Sequence, residues 1–211
     1  MKIIAVMTQK GGVGKTMTAS SLAYILVAER GKRVLIADAD QQGNISMLYG
    51  KFEPEGTGMS ELLEKHASVG GLYDTEDLIK ETEYKNVSII PANGFLMQTN
   101  ANLLKDEQDN QILRFRMAID DVRDQYDYCI VDCGLLMDMT AINVLVTADL
   151  VVLPVKVGGF EIEAITNMQE QLDDLRAFNP DVQMKLLMTM RQKNGTSCQV
   201  EEWLKQSSGQ E

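Results

Sequence analysis

The heptapeptide Lys10-Gly11-Gly12-Val13-Gly14-Lys15-Thr16 sets two cations and a hydroxyl among three glycines. Glycines let backbone N–H groups converge on an anion without interference from Cβ atoms. The segment follows the apolar run Ile3-Ile4-Ala5-Val6-Met7. It opens a stretch with helical spacing at Ala19, Leu22, Ala23, Leu26 and Val27. Strand, glycine-rich turn and helix is the setting a phosphate-binding loop requires. The start of the helix adds unpaired N–H donors and the positive end of its dipole. From there Lys15 reaches the β- and γ-phosphates of a nucleotide, and the Thr16 hydroxyl can ligate Mg²⁺. Contacts to a nucleotide are therefore expected from Lys10, Gly11, Gly12, Val13, Gly14, Lys15, Thr16 and Met17. The strict pattern G-x-x-x-x-G-K-[ST] is not met, because Gln9 stands at its first glycine and Lys10 adds a second cation inside the loop. The plain alternative is a glycine-rich turn with two solvated lysines, which does not require the flanking strand and helix.

Carboxylates stand at the ends of two other apolar runs. Asp38 and Asp40 follow Val34–Ala37, and Asp132 follows Cys129-Ile130-Val131. In a parallel sheet such strand ends gather near the phosphate loop, where a carboxylate can hold the Mg²⁺ shell or orient a water for in-line attack. An isolated Asp after a strand is more often a helix cap or turn residue. Three of them at two strand ends, with the loop at a third, favour the chemical reading.

The elements that must place these groups alternate. Strands are expected at 2–7, 33–37, 87–90, 128–132, 150–155 and 184–189. Helices are expected at 15–30, 59–65, 74–81, 111–125, 139–148, 160–177 and 197–205. A loop lying over the nucleotide is expected at 41–60, with a short helix near 96–104. Continuously apolar runs such as Val151–Val155 read as strands buried on both faces. Alternation of this kind implies an α/β fold with a mostly parallel central sheet and right-handed crossovers, and the phosphate-loop pattern after the first strand makes a three-layer α/β/α P-loop NTPase the expected class. Ligands in such sheets bind beyond the carboxyl ends of the strands.

The chain has 211 residues, 45% of them hydrophobic, which suits a single domain spanning 1–211. It contains no apolar run long enough to span a membrane and no signal peptide pattern. Cys129, Cys133 and Cys198 form no C-x-x-C pair or metal spacing, and a reducing cytoplasm is expected. His66 has no evident partner. The net charge of −11, from 31 acidic against 20 basic residues, argues against strong general affinity for nucleic acid and leaves room for a local basic patch.

Several separate motifs resemble the ParA/MinD/Soj group of P-loop ATPases. Lys10 matches the extra lysine of that group's deviant Walker A box, Asp38-Ala-Asp-Gln-Gln-Gly-Asn44 its A′ box, and Tyr126–Cys133 its Walker B strand. Ile89-Ile-Pro-Ala-Asn93 and Ala148–Val155 are also similar to family phrases, so the likeness runs from residue 1 to about 200. The resemblance implies an ATPase that binds ATP and Mg²⁺ and closes as an ATP-dependent homodimer, with Lys10 crossing to the nucleotide of the other subunit. It also implies that Asp38 orders the Mg²⁺ shell, Asp40 activates the attacking water, and Asp132 acts on Mg²⁺ through water. The catalytic set is then Lys10, Lys15 and Asp40, and the metal set Thr16, Asp38 and Asp132. Partition of plasmid, chromosome or mobile-element DNA with a ParB-like centromere-binding partner follows as the implied role, in the cytoplasm or on the nucleoid.

The chain departs from the family at named places. Met17 replaces a second Thr, Gln41 the A′ proline, and Gly134-Leu135-Leu136 the usual Pro-Pro. Cys133-Gly134 has the wrong offset for an iron–sulfur ligand. The resemblance implies a further strand and final helix beyond Lys205, so either a minimal variant or a truncated chain is expected, and the family's basic DNA contact falls at Asn194, with Arg191 and Lys193 as neighbours. Non-specific DNA binding is thereby less secure than ATP binding. An ATP-gated switch that binds a protein partner, with little turnover, is the alternative expectation. A membrane-cycling variant would need a basic amphipathic C-terminal helix, which Glu201 and Glu202 do not provide.

Overall fold

The computed structural model describes residues 1–64, 72–107, 110–156 and 161–190. His66, Cys198, Asn194 and its basic neighbours, and the helix expected at 197–205 lie outside these residues. The strands are β1 (Lys2–Val6), β2 (Val34–Ala39), β3 (Lys80–Glu81), β4 (Val87–Ile90), β5 (Tyr128–Cys133), β6 (Leu150–Lys156) and β7 (Gln183–Thr189). The helices are α1 (Lys15–Ala28), α2 (Asn44–Leu48), α3 (Met59–Glu64), α4 (Leu96–Lys105), α5 (Arg114–Asp120), α6 (Met139–Leu145) and α7 (Glu161–Leu175).

All seven strands join one sheet in the order β3-β4-β2-β5-β1-β6-β7, parallel except for β3 against β4. The expected α/β architecture with its mostly parallel sheet is present. β2 is buried along its whole length because helices cover both faces. Strand residues alternate between two cores. Ile4, Val6, Ile36 and Ile130 meet Ala19 and Ala23 of α1 and Ile45 of α2. Ile3, Ala5, Leu35, Ala37 and Val131 meet the other core, built with side chains of α3 to α7.

Three expectations are corrected. Residues 74–81 are not a helix: a single 3₁₀ turn, Thr75–Leu78, is followed by β3. Asp74 and Asp77 form a reciprocal capping box, but pairing of Lys80 with Ile89 and Glu81 with Ser88 draws the chain into the sheet. The helix expected over 111–125 is limited to α5, with turns after it. The stretch 41–60 is not simply a loop, because α2 lies inside it. Gly43 makes the entry to α2: its φ is 64°, and a Cβ there would meet the Phe52 ring at 2.3 Å.

Candidate functional site

β1 feeds directly into the loop of residues 8–14, which ends on α1. Gly12 and Gly14 have φ of 71° and 88°, a region that favours glycine. Gly14 caps α1 in a left-handed conformation with no side-chain cap, and the first turn carries no acidic residue. The first helical backbone bond runs from Thr18 N to Gly14 O, so the preceding N–H groups find no helical acceptor. A helix start with free donors and an uncompensated dipole faces the open side of the loop, where a Cβ on Gly11 or Gly12 would meet nothing within 4 Å. Val13 is buried and anchors the loop, while Lys10, Lys15 and Thr16 are partly exposed and Met17 is largely exposed.

The two-residue alternation of the strands decides which carboxylates join this loop. Asp38 shares a face of β2 with Val34 and Ile36, and Asp132 shares a face of β5 with Ile130. That is the α1 face. Asp38 and Asp132 are register partners, and Asp132 also pairs with Val6, the last residue of β1. β2 ends two residues later than expected, so Asp38 lies inside the strand and Asp40 just beyond it.

The two partners are held differently. Asp38 Oδ2 accepts from the Ser46 amide at 2.9 Å and the Ser46 hydroxyl at 2.6 Å, while Oδ1 accepts from the Asp40 amide at 3.1 Å. Burial pushes its carboxyl up to about 7; the Ser46 bonds oppose the rise and Asp132 adds to it. Both buried oxygens of Asp132 lack a well-formed hydrogen bond. Burial pushes that carboxyl up to about 6, with the nearby Thr16 hydroxyl and Lys15 ammonium pulling it down and Asp40 adding to the rise.

Asp40 uses Oδ1 to accept from the Gln42 amide at 3.0 Å, and no hydrogen bond among the described residues engages its Oδ2. Position 134 adjoins it, since a Cβ on Gly134 would lie 3.8 Å from Asp40 Oδ1. Asp138 caps α6 by accepting from the Ala141 amide at 3.0 Å, and burial raises its carboxyl. Cys129 and Cys133 are buried free thiols, Cys129 pushed up to about 12 by burial, which suits core packing and not ligation.

A buried carboxylate with two orphaned oxygens beside a threonine hydroxyl fits a hydrated divalent cation. Among the described residues no three His, Cys, Asp or Glu side chains cluster as a direct cage, so such an ion would keep water in its shell. Thr16, Asp38, Asp40, Asp132 and Lys15 are thus gathered at one end of the sheet. Ser46 was not anticipated. Its hydroxyl also accepts from the Ala92 amide at 2.9 Å, joining β2, α2 and the exit of β4. Its distance along the chain from both partners gave no local signal.

A family model described as an AAA domain matches residues 1–184. The chromosome partitioning protein ParA of Caulobacter vibrioides is 31% identical over 206 residues, 95% of this chain and 74% of the relative. The chromosome partitioning protein ParA of Myxococcus xanthus is 32% identical over 192 residues, 90% of this chain and 65% of the relative. Cobyrinic acid a,c-diamide synthase from Mycobacterium smegmatis, solved with ADP and magnesium, has a TM-score of 0.85 at 25% identity, over 100% of this chain and 83% of that one. A plasmid partition protein from Borrelia burgdorferi has a TM-score of 0.82 at 24% identity, over 97% of this chain and 86% of that one, a likeness of fold. No helix among the described residues is long and apolar enough to cross a membrane.

Proposed function

This chain belongs to the ParA-type family of P-loop ATPases, and from that membership we propose that it hydrolyses Mg-ATP as a nucleotide-dependent homodimer serving DNA partition. The observation that carries the reading is the uncapped start of α1, with Lys15 and Thr16 set beside the orphaned carboxylate of Asp132. Backbone N–H groups of the loop bind the phosphates, and Lys15 neutralises charge on the transferring group. Thr16 and Asp132 hold the Mg²⁺ shell, with Asp38 behind them keeping Ser46 and α2 in place. When bound, Mg²⁺ supplies charge neutralisation at the phosphate oxygens. Asp40 orients the attacking water through its available oxygen and takes up its proton. Lys10 reaches the nucleotide of a second subunit, which makes turnover depend on dimerisation. A ParB-like partner and a cytoplasmic or nucleoid location belong to the same proposal.

The testing experiment is retention of the Asp40→Ala protein on non-specific duplex DNA at low salt, with Mg-ATP against Mg-ADP. ATP-dependent retention that weakens with added salt supports partition. Absence of retention in protein shown to bind ATP moves the reading to a protein-directed switch. One observation favours that second reading: Met17, Tyr24 and Ile25 of α1, with Leu48 and Tyr84, line an open groove of about 720 Å³ next to the loop. Met17 and Tyr24 are 62% and 67% exposed, which suits contact with an apolar protein surface better than with DNA.

A further inference from the structure

Thr189 ends β7, 176 positions along the chain from the loop it touches. Its Oγ1 lies 2.7 Å from the Val13 carbonyl oxygen and 3.3 Å from that of Val155. A hydroxyl has one proton, and the shorter contact takes it, so Thr189 donates to Val13.

The Val13–Gly14 peptide is oriented by ψ of Val13 and φ of Gly14, and Gly14 has a positive φ of 88°. Gly14 on one side of it has no Cβ, which lowers the steric penalty that would otherwise keep the peptide from turning over. In a planar trans peptide the C=O and N–H point in opposite directions. Holding the Val13 carbonyl against β7 therefore aims the Gly14 N–H away from β7. Among the described residues that N–H has no backbone acceptor. A flipped peptide would instead present a carbonyl oxygen to an anion, which repels it.

We infer that Thr189 is a positioning residue of the nucleotide site, whose hydroxyl fixes the Val13–Gly14 peptide with its N–H directed at the phosphates. The inference rests on the phosphate-binding reading of the loop. Two neighbouring contacts support it. The Met190 side chain covers Gly14, its Cε 3.9 Å from where a Cβ would stand. Gln9 Nε2 donates to Gln171 Oε1 of α7 at 3.1 Å, so the unit β6–α7–β7 holds the loop at its start as well as at Val13. This also gives Gln9 a task at the position where the strict motif has glycine.

The test is titration of a fluorescent ATP analogue with Mg²⁺ into the full chain, for wild type, Thr189→Val, Thr189→Ala, Thr189→Ser and Lys15→Ala, with thermal melting of each nucleotide-free protein. The two variants without a hydroxyl should bind about tenfold more weakly, as loss of one charge-assisted hydrogen bond implies, with melting within a few degrees of wild type. Thr189→Ser should stay within about twofold, because it keeps the donor. Wild-type affinity in Thr189→Val or Thr189→Ala overturns the inference, as does a loss in Thr189→Ser equal to theirs. Lys15→Ala separates the two levels. Undiminished binding by Lys15→Ala defeats the phosphate reading itself, whereas its loss alongside intact binding by Thr189→Val defeats the positioning role alone.

Discussion

Asp38 and Asp132 face each other across the β2–β5 register, both fully buried, yet one accepts three hydrogen bonds and the other has none that is well formed. The bonded carboxylate braces the fold around α2. The unbonded one leaves both buried oxygens without a well-formed hydrogen bond, as the proposed Mg²⁺ role requires. Asp132 raises the proton affinity of Asp38, and Asp40 that of Asp132, so the apo site carries an electrostatic cost that a cation would relieve.

This cost has a definite pH signature. Asp38 near 7 and Asp132 near 6 both stand above the value of about 3.9 expected for an unfolded Asp. Between about pH 4 and pH 7 the folded chain then holds protons that the unfolded chain has released. Their contribution to stability is full below about pH 4 and is lost as pH rises through about 7. Melting of the metal-free protein should show this decline from Asp38 and Asp132 between about pH 4 and pH 7, and the decline should shrink in Asp132→Asn. Mg²⁺ favours the ionised carboxylates, so Mg-dependent nucleotide affinity should rise with pH over the same interval. A Mg²⁺ dependence that is flat from pH 5.5 to 7.5 would contradict the assignment.

Asp132→Asn removes a buried charge whose oxygens lack a well-formed hydrogen bond. The nucleotide-free variant should be more stable by about 1–2 kcal/mol, seen as a melting point higher by roughly 3–6 °C. The same variant should lose the Mg²⁺ dependence of nucleotide binding. A lower melting point together with intact Mg²⁺ dependence would assign Asp132 a structural role instead.

Ser46→Ala strips Asp38 of its shortest bond and leaves the buried Ala92 amide without an acceptor. An unsatisfied buried donor costs about 1–3 kcal/mol, and chemical denaturation should record a loss of about 2–3 kcal/mol for both effects. A loss below about 0.5 kcal/mol would show that the brace is dispensable.

The two lysines of the loop should separate binding from turnover. Lys15→Ala is expected to weaken ATP binding by more than about 100-fold, the scale of a lost charge pair at phosphate. Lys10→Ala is expected to bind ATP as wild type does and to hydrolyse it at least about tenfold more slowly. Calorimetric titration and phosphate release measure the two quantities. Unchanged turnover in Lys10→Ala would remove the trans-lysine mechanism.

Much of this arrangement is legible along the chain. The apolar runs of β1, β2, β5 and β6 announce strands buried on both faces, and the loop glycines announce where the backbone turns. Asp38, Asp40 and Asp132 stand out because each closes such a run. The misreadings have a common cause. The capping box at Asp74 is a sound local signal for a helix, and it lost to strand pairing with β4, which lies several residues further on. The helix α2 has five residues, too few to display a 3.6-residue period, and its place depends on the bond from Ser46 to Asp38.

Residue order alone established the loop, the strand-end carboxylates and the α/β class, because glycine conformation, strand alternation and helix spacing are set by near neighbours. It did not reveal that Asp38 would be satisfied and Asp132 left open, or that Thr189 would grip the Val13 carbonyl. Those outcomes depend on which strands become neighbours and in what register, and on which buried oxygen a distant hydroxyl can reach. Only the closed sheet, with β5 seated between β1 and β2 and β7 brought alongside β6, puts those groups within a hydrogen bond of one another.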